Sequence, residues 1–267
     1  MFTYDFKAAV WRIRLDSTTG NIALEVRDPE VLLTRFYTLD TEKYTLKELP
    51  LPQVQAWWQG LEDAEQGILY LHGYGNRQLG QHKGIVAIAE ADGSKGWEVP
   101  ELAFYGISAA GLVAYDPEQP EAPLQVLALA TGQPTGVTLS QWQAAAAVAQ
   151  FSPIRYRYCL YPVLYREGEP YFEEVRAFLG AQLRVQAVKA IEYAETGANL
   201  VVSFYTEEAA GKLRNELAIF DLEGVLHQKV QLGSGLSGIG SDTFFIFKHN
   251  LHFIQNKDIL QVFRLLA

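Results

Sequence analysis

The sequence predicts an all-β chain, a β-propeller of about six four-stranded blades in one domain over residues 1–267, closed by the N-terminal strand and with one degenerate blade carrying a short helix. Three observations predict it. Short runs rich in β-branched, aromatic and aliphatic residues follow one another, each cut from the next by Gly, Asn, Asp or charged residues, as consecutive antiparallel strands are. A unit of four such runs recurs along the chain with a period of roughly 40–50 residues, the spacing of propeller blades. The last unit has only three runs, and Phe2-Thr3-Tyr4-Asp5-Phe6 alternates as a strand should, so it can supply the fourth.

Taken in order, residues 8–52 hold AVWRIRLD, NIALEVRD, LLTRFYTLD and YTLKELPLP, with Ser17 to Gly20 and Asp40 to Lys43 as turns. Residues 55–100 hold WWQGLED, GILYLHGY, GIVAIAEA and GWEVP. The third strand and turn of this unit, Gly84 to Gly93 followed by Trp97, serves as a ruler for the rest. A third copy spans about 102–140 (LAFYGIS, GLVAYDP, APLQVLALATG, TGVTLS), and another spans 187–234 (AVKAIEYAETG, NLVVSFYTEE, NELAIFDLEG, VLHQKVQLG). The equivalent turn positions Lys43, Gly93, Gly132 and Gly224 are 50, 39 and 92 residues apart, so one degenerate unit fits between 141 and 186. There SPIRYRYCLYPVLYREGEPYF reads as strands around a Gly turn. Phe172, Val175, Phe178, Leu179 and Leu183 recur at helical spacing and predict a short helix. QWQAAAAVAQ at 141–150 suits either a helical turn or a connector. SDTFFIFKHN, LHFIQNKD and ILQVFRLLA close the chain, giving six blades, with five and seven as alternatives.

The ruler, an apolar strand, an acid, a Gly turn and then Trp97, resembles the repeat of quinoprotein-type and WD-like propellers. That pattern places Trp in most blades and here one unit keeps it, so no quinone-binding residue carries over. From VWRIRLD and LEVRD through HKGIVAI to NELAIFDLEG and FFIFK, the chain also resembles an uncharacterised bacterial domain-of-unknown-function family, family 4905. That resemblance implies coverage of nearly the full length and brings no activity with it.

Composition excludes several classes. With 49% hydrophobic residues, 267 residues can bury a sizeable core as one large or two small domains. A net charge of -9, with 22 Lys and Arg against 31 acids and no basic run, argues against a nucleic-acid partner. Cys159 alone allows no internal disulfide and suits a reducing compartment. The start, MFTYDFKAAVWRIRLD, has no apolar signal-peptide core, and Ala144 to Ala149 is far short of a membrane span. A soluble cytoplasmic protein without a membrane partner is expected.

Gly233-Ser-Gly235-Leu-Ser-Gly238 has the spacing of a dinucleotide loop, but DTFFIFKH, a strand, follows where the pyrophosphate-binding helix should be, so it reads as a connection between blades. His249 and His252, three apart in a strand, face opposite ways, with no Cys or carboxylate at ligand spacing, so neither a metal nor a cofactor is expected. His72 and His82 flank GYGNRQLGQ and could meet across it, although the plain reading is of solvated loop residues. No Ser lies in G-x-S-x-G, and Cys159 reads as a small buried residue. Tyr156, Tyr158, Tyr161 and Tyr165 with Arg155, Arg157 and Arg166 read as strand packing with the charges outside. The connections Gly73 to Lys83, Asp116 to Pro123 and Thr206 to Leu213 are the long polar ones and mark one elaborated face. The function expected is a non-catalytic binding or scaffolding module that uses that face for a protein or small-molecule partner. Its candidate contacts are Trp58, His72 and His82, with Arg27 and Asn215 beside them; Trp58 has packing between blades as its plain reading. The alternative is a hydrolase or lyase with Arg27, His72, His82 and Asn215 converging at a channel mouth.

Overall fold

The computed structural model describes residues 1–50 and 56–265, so Leu51 and Pro52 of the fourth run, Gln55 and the last two residues of the final run lie outside the described residues. The chain divides into two compact units, residues 8–157 and residues 1–7 with 158–267. Strand β1 (Phe2–Asp5) belongs to the second. The first unit holds three sheets, each an antiparallel meander of four strands in chain order. They are β2 (Ala9–Leu15), β3 (Ile22–Asp28), β4 (Leu33–Asp40) and β5 (Thr45–Glu48); β6 (Gly60–Glu65), β7 (Ile68–Asn76), β8 (Gln81–Ala89) and β9 (Lys95–Val99); and β10 (Ala103–Ser108), β11 (Gly111–Tyr115), β12 (Leu124–Leu127) and β13 (Pro134–Leu139). Helix α1 (Gln141–Arg155) completes this unit, and the chain crosses into the other through β14 (Cys159–Leu160).

The turns show why the sequence breaks where it does. Asp16, Asp40, Asn76, Asp92 and Asp116 end strands or follow them, and each side-chain oxygen accepts a backbone N–H two or three residues on. The apolar alternation then buries one face of each sheet against the next. Ala23, Phe36, Leu61, Leu71 and Ile88 fill one seam, and Tyr70, Ile85, Leu112 and Leu127 the next. Trp97 donates its indole N–H to the Leu129 carbonyl at 3.0 Å, so the ruler's tryptophan joins its sheet to the following one.

In the second unit, β15 (Val163–Arg166), helix α2 (Pro170–Leu183), β16 (Val188–Glu195), β17 (Asn199–Glu207), β18 (Leu213–Asp221) and β19 (Leu226–Leu236) form a five-stranded sheet with α2 against it. The five residues expected on the apolar stripe of that helix all face this core: Phe172 and Leu179 are buried, and Val175, Phe178 and Leu183 partly so. The last sheet joins β20 (Phe244–Phe247), β21 (Asn250–Gln255) and β22 (Ile259–Arg264) in the order β1-β22-β21-β20-β14. The N-terminal strand therefore pairs with the C-terminal one, Phe2 opposite Val262 and Asp5 opposite Ile259. The GxGxxG stretch runs from the end of β19 toward β20, with no helix after it.

Two expectations are corrected. Five sheets form among the described residues, and residues 141–186 make no sixth. Its first part is α1, because the Ala run has high helix propensity and Ser140 with Gln143 closes a capping box. The strands that remain, β14 and β15, are short and attach to the edges of other sheets. The aromatic and Arg alternation at 155–166 fails for the same reason. Arg155, at the last turn of α1, is buried and pairs with Asp63 and Glu65, while Tyr158 and Tyr161 are exposed.

Candidate functional site

The β6–β7 ladder slips by one residue. Leu61 faces Leu71 but Asp63 faces Tyr70, which leaves Glu62 as the extra residue of a β-bulge. The first strands of the two neighbouring sheets carry the same device, with Trp11 and Tyr105 as the extra residues. A bulge releases backbone groups from the ladder, and buried backbone groups need partners. The first sheet supplies them: Glu25 accepts from the Leu61 N–H at 2.6 Å, Arg12 donates to the Leu61 carbonyl, and Arg14 donates to the Glu62 carbonyl at 2.7 Å. These contacts fix the direction in which the Glu62 carboxylate points.

It points at two imidazoles. The β7–β8 ladder pairs Tyr74 with His82, and His72 lies two residues before Tyr74 on the same face. The rings of His72 and His82 stack with centroids 3.5 Å apart and planes 11° from parallel. His82 Nδ1 donates to Glu62 Oε1 at 2.7 Å, an ionised carboxylate being an acceptor only. His72 Nδ1 lies 2.9 Å from the same oxygen, yet its N–H is not aligned with it, so the contact is electrostatic and neither ring nitrogen of this 2%-exposed side chain makes a hydrogen bond. Arg12 Nη1 holds Glu62 Oε2 at 3.1 Å. Opposite His72 stands Gly60, where a Cβ would come within 2.4 Å of His72 Cε1, so only glycine lets the imidazole lie flat there.

The electrostatics follow from burial and these neighbours. Burial acts to raise the Glu62 carboxyl, but the adjoining His72, then His82 and Arg12, outweigh it and hold the group below the usual carboxylate range. His82 is pulled below the ordinary imidazole value, first by burial and then by its stacked partner, against the pull of Glu62. A neutral His82 and an ionised Glu62 at neutral pH are the result. Glu62, His72 and His82 each offer a ligand atom within 4.8 Å of the others, and they are the residues here that could hold a metal.

Beside the cluster lies a cleft of about 250 Å³ lined by Trp58, Gly73, Tyr74, Arg77, Lys83 and Glu98, among others. Tyr74 links cleft to cluster. Its ring stands edge-on to His72 at 5.2 Å, to His82 at 5.4 Å and to Trp58 at 5.6 Å. The Arg77 guanidinium lies 4.8 Å over the Trp58 ring. Lys83 reaches Glu118, so the Gly73–Lys83 and Asp116–Pro123 connections are neighbours.

The structure thus brings together Trp58, His72 and His82, though not as expected. The histidines are strand residues rather than solvated loop residues, because β7 runs to Asn76 and β8 begins at Gln81, leaving a short turn. Trp58 sits in a 3-10 turn ahead of β6 rather than in the strand. Arg27 is near but occupied: it pairs with Glu25, donates to the carbonyls of Trp57 and Gln59 at 3.2 and 3.0 Å, and fixes the chain's entry into β6. Asn215 belongs to the other unit, buried and accepting from Ser203 at 2.9 Å. Glu62, Arg12 and Tyr74 were missed. The adjacent Glu62-Asp63 pair breaks the period of two, which is the trace a bulge leaves in a sequence. Cys159 is pushed up to about 12 by burial, so it is a thiol at neutral pH.

The chain matches a family described as a domain of unknown function, DUF4905, over residues 15–97, which includes the whole cluster; the resemblance expected over nearly the full length is met over that stretch. No curated protein matches the chain. Among solved structures, 98% of the chain aligns with 51% of a prolyl endopeptidase chain at 11% identity and a TM-score of 0.37. It aligns likewise, over 98% of its length, with 76% of an oligogalacturonate lyase solved in complex with manganese, at 12% identity and a TM-score of 0.29. The chain spans about half the length of the endopeptidase chain. No helix among the described residues is long and apolar enough to cross a membrane.

Proposed function

We propose that the five sheets are blades of a β-propeller whose last blade is completed by β1, and that the molecule is a binding module for a small, flat, polar ligand held at the second sheet. The four-stranded meanders in chain order and the β1–β22 pairing support the propeller reading. One observation carries the binding reading: a fully buried imidazole whose nitrogens make no aligned hydrogen bond, stacked on a partly exposed one and sharing its carboxylate, beside an aromatic cleft. An unsatisfied buried polar group costs stability, and sites for ligands are where such a cost is retained. The cleft has room for a single ring. Trp58 and Tyr74 offer it aromatic surface, and Arg77 and Lys83 offer donors.

A hydrolase or lyase at the same cluster is the second reading, with neutral His82 as the proton acceptor. Binding is preferred because Arg27 and Asn215, needed for the catalytic set, are committed to structural partners. A thermal-shift screen of single-ring polar compounds, followed by calorimetry of the hits, tests the proposal. Trp58→Ala should weaken a hit by tenfold or more, about 1.4 kcal/mol, while Lys212→Ala in the other unit leaves it unchanged. Hits that bind Trp58→Ala as tightly as the wild type would refute the assignment.

A further inference from the structure

We propose that Glu62, His72 and His82 bind a divalent transition-metal ion of the zinc class, through Glu62 Oε1 and the two Nδ1 atoms. The inference rests on the reading of the second sheet as the functional site and adds an ion to it. Two imidazoles and one carboxylate are the donor set that suits zinc and its first-row neighbours, and three protein ligands leave a coordination position open. The spacing is close. Tetrahedral metal–ligand bonds of about 2.1 Å put ligand atoms roughly 3.4 Å apart; here Oε1 lies 2.7 Å from His82 Nδ1 and 2.9 Å from His72 Nδ1, so these pairs open by roughly half an ångström when an ion enters.

The second, independent observation is His72 itself. Its side chain is 2% exposed, its Nδ1 is directed to the cluster, and neither nitrogen has a hydrogen-bond partner. Nε2 lies against Gly60, so Nδ1 is the nitrogen left for an ion. Arg12 on Oε2 orients the carboxylate and leaves Oε1 facing the two imidazoles, as outer partners of metal-bound carboxylates do. Its positive charge also weakens the site for a cation, which places the affinity below that of closed structural zinc sites.

Two features must change on binding. The Nδ1 proton that His82 shares with Glu62 gives way to the ion, the neutral ring passing to its Nε2–H tautomer, and the stack must open. Nearly parallel rings 3.5 Å apart cannot both aim an in-plane lone pair at one ion. His72 is fixed by Gly60, so the partly exposed His82 turns, which opens the stack.

Calorimetric titration of the metal-free full chain with Zn(II), near neutral pH in a non-chelating buffer, tests this. About one ion should bind per chain. Glu62→Gln and His82→Ala should each weaken binding at least about tenfold, and His227→Ala, which alters the exposed His227–Asp221 pair, should change nothing. Both site variants keep the buried His72, and circular dichroism of the metal-free forms checks their fold. Co(II) in place of zinc should give a visible absorption band that His82→Ala removes. No saturable heat in the wild type, or an affinity unchanged in both site variants, would overturn the inference. If zinc fails to bind while Trp58→Ala still weakens ring compounds, this inference falls and the cleft reading stands. Zinc binding with no ring compound bound upholds the ion site and counts against that reading.

Discussion

His252 is completely buried in β21, its ring flat against Phe245 at 4.8 Å, with Nδ1–H donated to the Asn250 carbonyl at 3.0 Å and Nε2 unpaired. Burial drops its pKa from 6.5 to about 4, with the carbonyl hydrogen bond opposing. Between those values the unfolded chain binds a proton that the folded chain does not, so stability rises with pH across the window and is lost progressively as pH falls from about 6.5 toward 4. Going from pH 7 to pH 5 should therefore cost the wild type about 2 kcal/mol more than His252→Phe, measured by urea denaturation of both proteins at both pH values. Glu90 and Glu192, raised chiefly by burial, act in the opposite sense, and the comparison with the variant removes them. Equal pH slopes would contradict a neutral buried His252. At this scale little was legible in the sequence. His72, His82 and His252 are alike on paper, and what separates them is the depth of the strand each sits in and the carboxylate that a bulge delivers from β6.

Elements were far more legible, because alternation and turn chemistry are local. Asp16, Asp40 and Asp92 announce their turns, and the runs 9–15, 22–28 and 33–40 become strands nearly as read. Residues 141–155 were not, since an Ala-rich run has no strong periodicity of its own and only its capping box and the partners of Arg155 settle it as α1. The strand Phe2–Asp5 makes a ladder with β22, and Phe6 beyond it is 5% exposed. Deleting Met1 to Phe6 removes a buried aromatic side chain and bares the edge of β22, and should cost at least about 3 kcal/mol. Chemical denaturation of the shortened chain, with light scattering for association, checks this. A truncated protein that unfolds at the same denaturant concentration would show that β1 does not complete the last sheet's stability.

For the whole molecule, the four-strand repeat could be read from spacing, but the number of sheets could not. The 92-residue interval between Gly132 and Gly224 accommodates a further sheet numerically, whereas the chain spends residues 141–186 within it on two helices and two edge strands. The grouping was legible in outline: Trp58, His72 and His82 lie together around Tyr74, while Glu62, which joins the two histidines, depends on pairing across two sheets. The central claim is that ligands engage this chain at the second sheet. The direct test is a two-dimensional amide and indole NMR map of the full chain, recorded with and without a hit from the ring-compound screen. The account predicts that the shifts centre on the Trp58 indole and the Gly73, Tyr74, His82 and Lys83 amides. Shifts centred instead on the cleft of Thr206, Glu207, Arg214 and Lys229 in the other unit would contradict it.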